Sequence, residues 1–372
     1  MYFFTSIATN YLAKARVLCK TLKENNKDAK FIVMLVDNIP EKIKIEDELF
    51  DDIITLDQVK DIKNIDSFRF KYNVTEICTA VKPSVAKQIM FDYGAEKVVY
   101  IDPDIGVFNN LNQISILLDK YSMVFTPHQT MMEEHKQFIV GNEILFLKKG
   151  SMNLGFFAVK RDTEGIKFLD WWSKRLMEYT FDDNYEAYGL LKSEGLLGMF
   201  TDQKWIDLVP SFFDNYYILK NPGYNVSTWN LTTRTMSKDE KGSYFVDGEP
   251  LQFFHFSSFD SKHHHSVLNL VCEVNPKNKL VKELSAWYTR QLKLNDQEFF
   301  GAINNSNANY DNGEVITDIE RKLYLIRKDI HDFFPNPYAV NEGNCYYNWV
   351  RGEYSEFFDE RKNDNPIIVN RD

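Results

Sequence analysis

The run Val98-Val99-Tyr100-Ile101-Asp102-Pro103-Asp104-Ile105-Gly106 ends an apolar stretch on two carboxylates one residue apart. Ligands of open α/β sheets gather beyond the carboxyl ends of strands, so these acids stand where a site belongs. Carboxylates at i and i+2, lifted out of a sheet by a proline-containing turn, can hold a hard divalent cation. Such a cation could bridge a diphosphate and offset the charge that develops as it leaves. The plain alternative is a strand end followed by a solvated Asp-Pro-Asp turn. Three further groups favour the first reading. Asn153-Leu154-Gly155-Phe156 opens another apolar run, Asp202-Gln203 follows a glycine-containing turn, and His255 sits inside Phe253-Phe254-His255-Phe256. A lone histidine on an apolar strand is ordinarily a satisfied core residue. Here an upstream carboxylate pair wants one more ligand, and imidazole suits Mn2+ better than Mg2+.

The elements that must position these residues follow from periodicity. Tyr2 begins a short apolar run, and residues 10–25 read as an amphipathic helix with Leu12, Ala15, Cys19 and Leu22 on one face. Thr9 or Asn10 would cap its start. Residues 31–36 and 52–56 read as strands. Pro83 sits where a first helical turn tolerates it, Val85, Ala86, Ile89 and Met90 make the stripe, and Gly94 stops that helix. Residues 97–101 form the next buried strand, and this alternation predicts a mostly parallel sheet with helices on both faces. Further on, 123–126 and 154–160 read as strands, 163–179 as a helix carrying Trp171 and Trp172, and 251–256 as another strand. Residues 127–149 read either as a loop over a site, with 128–141 as its apolar lid, or as an excursion that packs Met131, Met132 and Phe138. Residues 304–312 have a linker composition. Beyond them 314–333 reads as a helix whose Ile319, Leu323, Ile326 and Ile330 must be buried, followed by an aromatic, acidic stretch at 346–358.

The composition sets the outer bounds. The chain has 372 residues, 44% hydrophobic and 26% charged, which excludes a disordered or collagen-like protein. Lys plus Arg number 44 against 54 Asp plus Glu, for a formal net charge of −10. That balance argues against broad nucleic-acid binding, which relies on basic patches, but not against one nucleotide held through a metal. Cys19, Cys78, Cys272 and Cys345 form no CxxC pair and read as buried thiols in a reducing compartment. No stretch approaches the ~20 apolar residues of a membrane helix. A cytoplasmic protein is expected, with peripheral contact at the inner face of the membrane left open and the oligomeric state undetermined.

Taken together, these motifs resemble the GT-A glycosyltransferases, particularly family 8, over about residues 1–300. Thr5-Ser6-Ile7-Ala8-Thr9-Asn10-Tyr11 looks like that family's first nucleotide-binding loop, which implies donor contacts by Thr5, Ala8, Asn10 and Tyr11, with Asn10 and Tyr11 at the uridine. Asp102 and Asp104 look like its DxD, the second binding the metal and the first reaching the metal, sugar or ribose. Asn153 and Gly155 match its Asn-x-Gly strand, Asp202 and Gln203 its catalytic pair at the donor sugar, and His255 its late metal ligand. Lys82, ahead of Pro83, recurs in similar enzymes and could contact the donor or be an ordinary surface lysine at a helix start. The family's His-Phe-x-Gly followed by Lys departs here to His255-Phe256-Ser257-Ser258, with Lys262 as the candidate diphosphate ligand and Ser257 or Ser258 sharing its role. His263, His264 and His265 read as a solvated loop.

The resemblance implies a Rossmann-like mixed sheet flanked by helices at 1–300, with a helical extension at 311–372 packing on the core or on a partner. It implies a sugar passed from a nucleotide diphosphate, UDP-hexose or UDP-N-acetylhexosamine, to a glycan, lipid-linked or protein acceptor, with Mn2+ or Mg2+ as cofactor. Surface-polysaccharide synthesis in a bacterium is the implied setting, and retention of configuration the implied course. The residues alone leave inversion open. Two readings compete: a haloacid-dehalogenase-type phosphohydrolase, which also uses a DxD with Mg2+, and a sugar-nucleotide-binding protein without turnover. The first is disfavoured by the hundred or so residues before the motif and by Gly106 where a Thr would stand.

Overall fold

A computed structural model describes residues 1–182, 187–259, 261–341 and 343–358. The chain falls into two compact units. The first comprises Met1–Asp61, Val74–Asp182 and Gly198–Asn305; the second comprises Ile62–Asn73, Asp183–Leu197 and Ser306–Asp372. The second unit thus includes stretches that precede residue 300 as well as the C-terminal segment.

The first unit is built on a seven-stranded sheet in the order β3-β2-β1-β4-β7-β6-β8. Its strands are β1 (Tyr2–Ile7), β2 (Lys30–Leu35), β3 (Asp52–Thr55), β4 (Lys97–Ile101), β6 (Met123–Pro127), β7 (Met152–Lys160) and β8 (Tyr216–Ile218). Between β4 and β6 lies β5 (Ile105–Val107), outside this sheet. The strands β3, β2, β1 and β4 run parallel, β7 is antiparallel to both neighbours, and β8 returns parallel to β6. The sheet is thus mixed, flanked by helices, as expected from the sequence. Strands β1 and β2 are buried along nearly their whole length because both faces are covered. A small sheet of β9 (Met236–Lys238), β10 (Tyr244–Val246) and β11 (Glu249–Pro250) precedes β12 (Phe253–His255), which pairs with β5.

The helices that flank the site are α1 (Leu12–Asn25), α2 (Lys82–Asp92) and α3 (Thr163–Tyr179). Neither Thr9 nor Asn10 caps α1. A 3-10 turn, Thr9–Tyr11, comes first, and the Thr9 backbone N–H is taken by the Asp37 carboxylate at 2.9 Å instead. The stripe of α2 is buried as read, Pro83 lies in its first turn, and Gly94 sits at φ 67° where a left-handed stop is needed. Residues 127–149 are helical over much of their length: Lys136–Phe138, a π-helical Ile139–Ile144 and Leu145–Lys149. Phe138 packs inward, but Met131 and Met132 are exposed, so the methionines are not the packing residues. The histidine run is no loop either; α4 (His264–Val274) begins within it, and His264 Nε2 lies 2.9 Å from Ser285 Oγ on α5 (Leu280–Leu294).

The second unit is an aromatic knot. The Phe70 ring packs against Tyr310, Tyr324, Tyr338 and Tyr346 at 5.1 to 5.7 Å. Its main helix, α6 (Asp318–Ile326), is much shorter than the expected 314–333. Thr317 and Glu320 form a capping box that fixes the start, while Val315 bridges Asn309 in extended backbone. Glu320 is buried and is held by Tyr310 Oη and Arg351 Nη1, both at 2.8 Å. A further helix, α7 (Tyr346–Glu353), completes the unit; residues 359–372 of the expected extension lie outside the described residues. All four cysteines are free thiols, Cys19 and Cys345 buried and the other two half-buried. Among the described residues no helix is long and apolar enough to cross a membrane.

Candidate active site

The site grows from the carboxyl end of β4. Where β4 leaves the sheet, the Asp102 N–H donates to the Gly155 carbonyl of β7 at 2.8 Å, and a turn closes as Ile105 N–H meets the Asp102 carbonyl. The chain then enters β5, whose ribbon with β12 sets Ile105 opposite His255 and Gly106 opposite Phe254. That register delivers a histidine from about 150 residues away to a carboxylate pair. His255 Nε2 lies 3.1 Å from Asp104 Oδ1 and 3.7 Å from Asp102 Oδ2.

Two carboxylates and one imidazole, with ligand atoms within 4.8 Å of one another, can hold a metal ion. Oxygen donors suit Mg2+ or Mn2+, and the imidazole inclines the set to Mn2+. The space they need depends on Gly155. A Cβ there would stand 2.5 Å from His255 Cε1 and 2.8 Å from Asp102 Oδ2. His255 Nδ1 is buried with no hydrogen-bond partner, so packing orients the ring: Trp229 meets it edge-on with centroids 5.2 Å apart. Burial works to raise the Asp104 carboxyl, but His255 and then Lys14 outweigh it, leaving the group below the usual carboxylate range. Burial likewise works against protonating His255, while Asp104 and Asp102 favour it and the net shift is upward.

Lys82 is not a surface residue. It is 3% exposed, its Nζ lying 2.8 Å from Asp202 Oδ2, 3.8 Å from Asp102 Oδ1 and 3.0 Å from the Leu154 carbonyl. It also stands 4.2 Å from the Tyr100 ring centroid, and Tyr100 Oη donates to Asp102 Oδ1 at 2.6 Å. Burial opposes charge on Lys82, yet Asp202 and Asp102 overcome it and keep the ammonium protonated. Burial also raises Asp202, with Lys82 pulling it back. Replacing Lys82 with Met should therefore destabilise the fold by about 3–5 kcal/mol, the usual result of stranding a buried charge. In urea titrations Lys82→Met with Asp202→Leu should recover most of that loss. A single variant as stable as the wild type would mean that water reaches Asp202.

The other expected residues occupy varied settings. Ala8 and Asn10 lie at the carboxyl end of β1, whereas Thr5 is wholly buried within that strand and its hydroxyl has no partner. Tyr11 presents an exposed ring. Gln203 is fixed at both ends, its Oε1 accepting from Leu154 N–H and its Nε2 donating to the Lys149 carbonyl. Asn153 bridges two regions. Burial pushes the His128 imidazole down to about 4, so that neutral ring can accept from Asn153 Nδ2 at 3.3 Å. The buried Asn153 Oδ1 has no partner and lies 2.9 Å from where a Gly155 Cβ would be, alongside the cation ligands. Lys262 is exposed. Asp260, beside it in the chain, lies outside the described residues.

Comparison with known proteins adds a frame. No family model matches the chain. It is similar to the uncharacterized protein YfnF of Bacillus subtilis (strain 168), 24% identical over 271 residues covering 69% of this chain and 81% of that one. It is also similar to YfnD of the same organism, 21% identical over 264 residues covering 69% and 78%. Among solved structures it is similar to the galactosyltransferase LgtC with donor and acceptor sugar analogs, at 15% identity and a TM-score of 0.41, over 74% of this chain and 96% of that one. The glycosyltransferase GlyE of Streptococcus pneumoniae TIGR4 follows, at 14% and 0.40 over 78% and 64%. Mouse xyloside xylosyltransferase 1 gives 11% and 0.37 over 61% and 87%.

Four participants in this geometry escaped the sequence reading. Asp37 shapes the loop after β1, Tyr100 orients Asp102, and His128 holds Asn153. The fourth is Lys14, in the first turn of α1, 2% exposed, its Nζ 3.9 Å from the Tyr11 ring centroid and its charge acting on Asp104. Its signal was available: a lysine three residues after Tyr11 shares that residue's helical face.

Proposed function

We propose that this chain is a metal-dependent glycosyltransferase of the GT-A type, moving a sugar from a nucleoside diphosphate, UDP foremost, to a hydroxyl acceptor. The observation that carries this reading is the convergence of Asp102, Asp104 and His255 over Gly155, beside the buried Lys82–Asp202 pair. In the reaction the acceptor oxygen bonds to the anomeric carbon as that carbon's bond to the diphosphate oxygen breaks. The electron pair leaves with the diphosphate, and the acceptor proton passes to a phosphate oxygen or to water. A divalent cation bound to Asp102, Asp104 and His255 would neutralise charge on the departing group.

The chain's own residues set the stage for that exchange. Tyr11 offers a ring face to the nucleobase. Tyr100 and Lys82 hold Asp102 in one orientation. Asp202, tied to Lys82 and to the Thr201 hydroxyl at 3.1 Å, is suited to gripping donor-sugar hydroxyls and poorly suited to act as a free base. That arrangement favours the retaining course. We place the enzyme in the cytoplasm, at the inner face of a bacterial membrane, in surface-glycan synthesis. Release of UDP from a panel of UDP-sugars, with Mn2+, Mg2+ or EDTA, tests the reading. Release of inorganic phosphate from phosphate monoesters, with no nucleotide released from any sugar nucleotide, would favour the phosphohydrolase instead.

Within this reading the diphosphate-binding cation is Lys14 rather than Lys262. A charged hydrogen bond is worth ~1.5–3 kcal/mol, so Lys14→Met should weaken UDP binding about tenfold or more. Uridine, which lacks phosphates, should bind both proteins alike, and Lys262→Met should change UDP affinity by less than about threefold. Calorimetry of UDP and uridine against both variants decides between the two lysines.

A further inference from the structure

A histidine that ligates a metal ordinarily donates its other ring N–H, and that bond sets the orientation of the ring. His255 has no such bond, since its buried Nδ1 finds no partner among the described residues. Something else must hold it. The coil of residues 225–230, between β8 and β9, grips His255 at three points. The Val226 carbonyl accepts from the His255 N–H at 2.8 Å, and the Ser227 hydroxyl donates to the His255 carbonyl at 2.7 Å. The Trp229 ring stands edge-on to the imidazole. Backbone and ring are thus fixed from one short segment.

That segment lies in no helix or strand, so its shape has to come from side chains. Asn230 supplies it. This residue is wholly buried, and its Oδ1 accepts from the Ser227 N–H at 3.0 Å. Its Nδ2 donates to the Asn225 carbonyl at 2.8 Å and to the His128 carbonyl at 3.1 Å. The first two bonds close the coil on itself around Asn225, whose φ of 50° is a left-handed conformation that costs an L-residue energy. The third fastens the coil to the residue that follows β6. Trp229 Nε1 donates to the same His128 carbonyl at 3.1 Å, so the ring that meets His255 shares this anchor. An amide offers two donors and an acceptor at one tip, which neither a carboxylate nor an aliphatic group of that size does.

We propose that Asn230 is the positioning residue of the cation site: it fixes the coil that in turn fixes His255 against Asp104 and Asp102. The inference rests on the metal-dependent reading for the ion, and on the hydrogen bonds of the coil alone for the placing of the imidazole.

The test uses the full chain labelled with 15N-histidine and free of metal, with the His255 signals identified by their absence in His255→Gln. Asn230→Ala should move those signals. In parallel, Mn2+ affinity read by electron paramagnetic resonance should fall about ten- to a hundredfold, the usual effect of losing a group behind a metal ligand. Ser227→Ala removes only the hydroxyl bond to the His255 carbonyl. It should move the same signals and lower the affinity about threefold, and it decides the matter alone if Asn230→Ala does not fold. A merely structural Asn230 would lower the melting temperature while the His255 signals and the Mn2+ affinity of the folded protein stayed as in the wild type. That result overturns the proposal and keeps the metal. A wild type that binds no Mn2+, with His255 signals that still move in both variants, would retire the metal and keep the positioning role.

Discussion

Asp104→Ala should lower turnover at least about a hundredfold, the scale on which loss of one preorganised charge-stabilising group is felt. Asp104 stands nearest His255 and is the more buried of the two cluster carboxylates. Its removal leaves the imidazole facing Asp102 alone, with too few ligands to hold a divalent cation in place. Mn2+ titration followed by electron paramagnetic resonance should show binding in the wild type and its loss in the variant. Melting curves taken without metal should differ little, which separates loss of a ligand from loss of the fold. EDTA should reproduce the variant's defect in the wild type. Full turnover in EDTA would remove the metal from the mechanism and leave Lys14 and Lys82 to carry the charge.

An effect of similar size should follow from adding a single methyl group at Gly155. Its Cβ would sit within 3.0 Å of three side chains at once: His255, Asp102 and Asn153. Real contacts are essentially never that close, so Gly155→Ala must push the histidine or the carboxylate aside. A displacement of about 1 Å in a catalytic array costs roughly a hundredfold in rate, and Mn2+ affinity should fall in step. Gly352→Ala, where nothing lies within 4 Å of the added carbon, is the control and should leave both unchanged. If Gly155→Ala retains wild-type Mn2+ affinity, the three ligands do not converge over this residue.

The two predictions concern residues that the sequence displayed with unequal clarity. Strand β4 and helix α3 were legible to the residue, because a fully apolar run and a long amphipathic period admit few alternatives. The Asp-Pro-Asp turn and Gly155 were legible as motifs. Lys82 was not: its partner Asp202 is 120 residues away, and no local pattern distinguishes a buried lysine from a solvated one at a helix start. The short α6 was legible but missed. Thr317 and Glu320 spell a capping box, and the hydrophobic stripe itself begins only at Ile319, so both place the start after residue 314.

The ribbon of β5 and β12 also bears on how the site is assembled in time. Three residue pairs join segments about 150 positions apart, and loop closure over such a distance must be paid before any contact rewards it. The carboxylates stand at the end of β4, which pairs with β1 and β7 in the main sheet. The imidazole arrives only when β12 docks. The full ligand set is therefore absent from any state in which the sheet has formed but the ribbon has not. In a refolding experiment the appearance of tight Mn2+ binding would time the closing of this ribbon, independently of the far-ultraviolet signal that follows the sheet and helices.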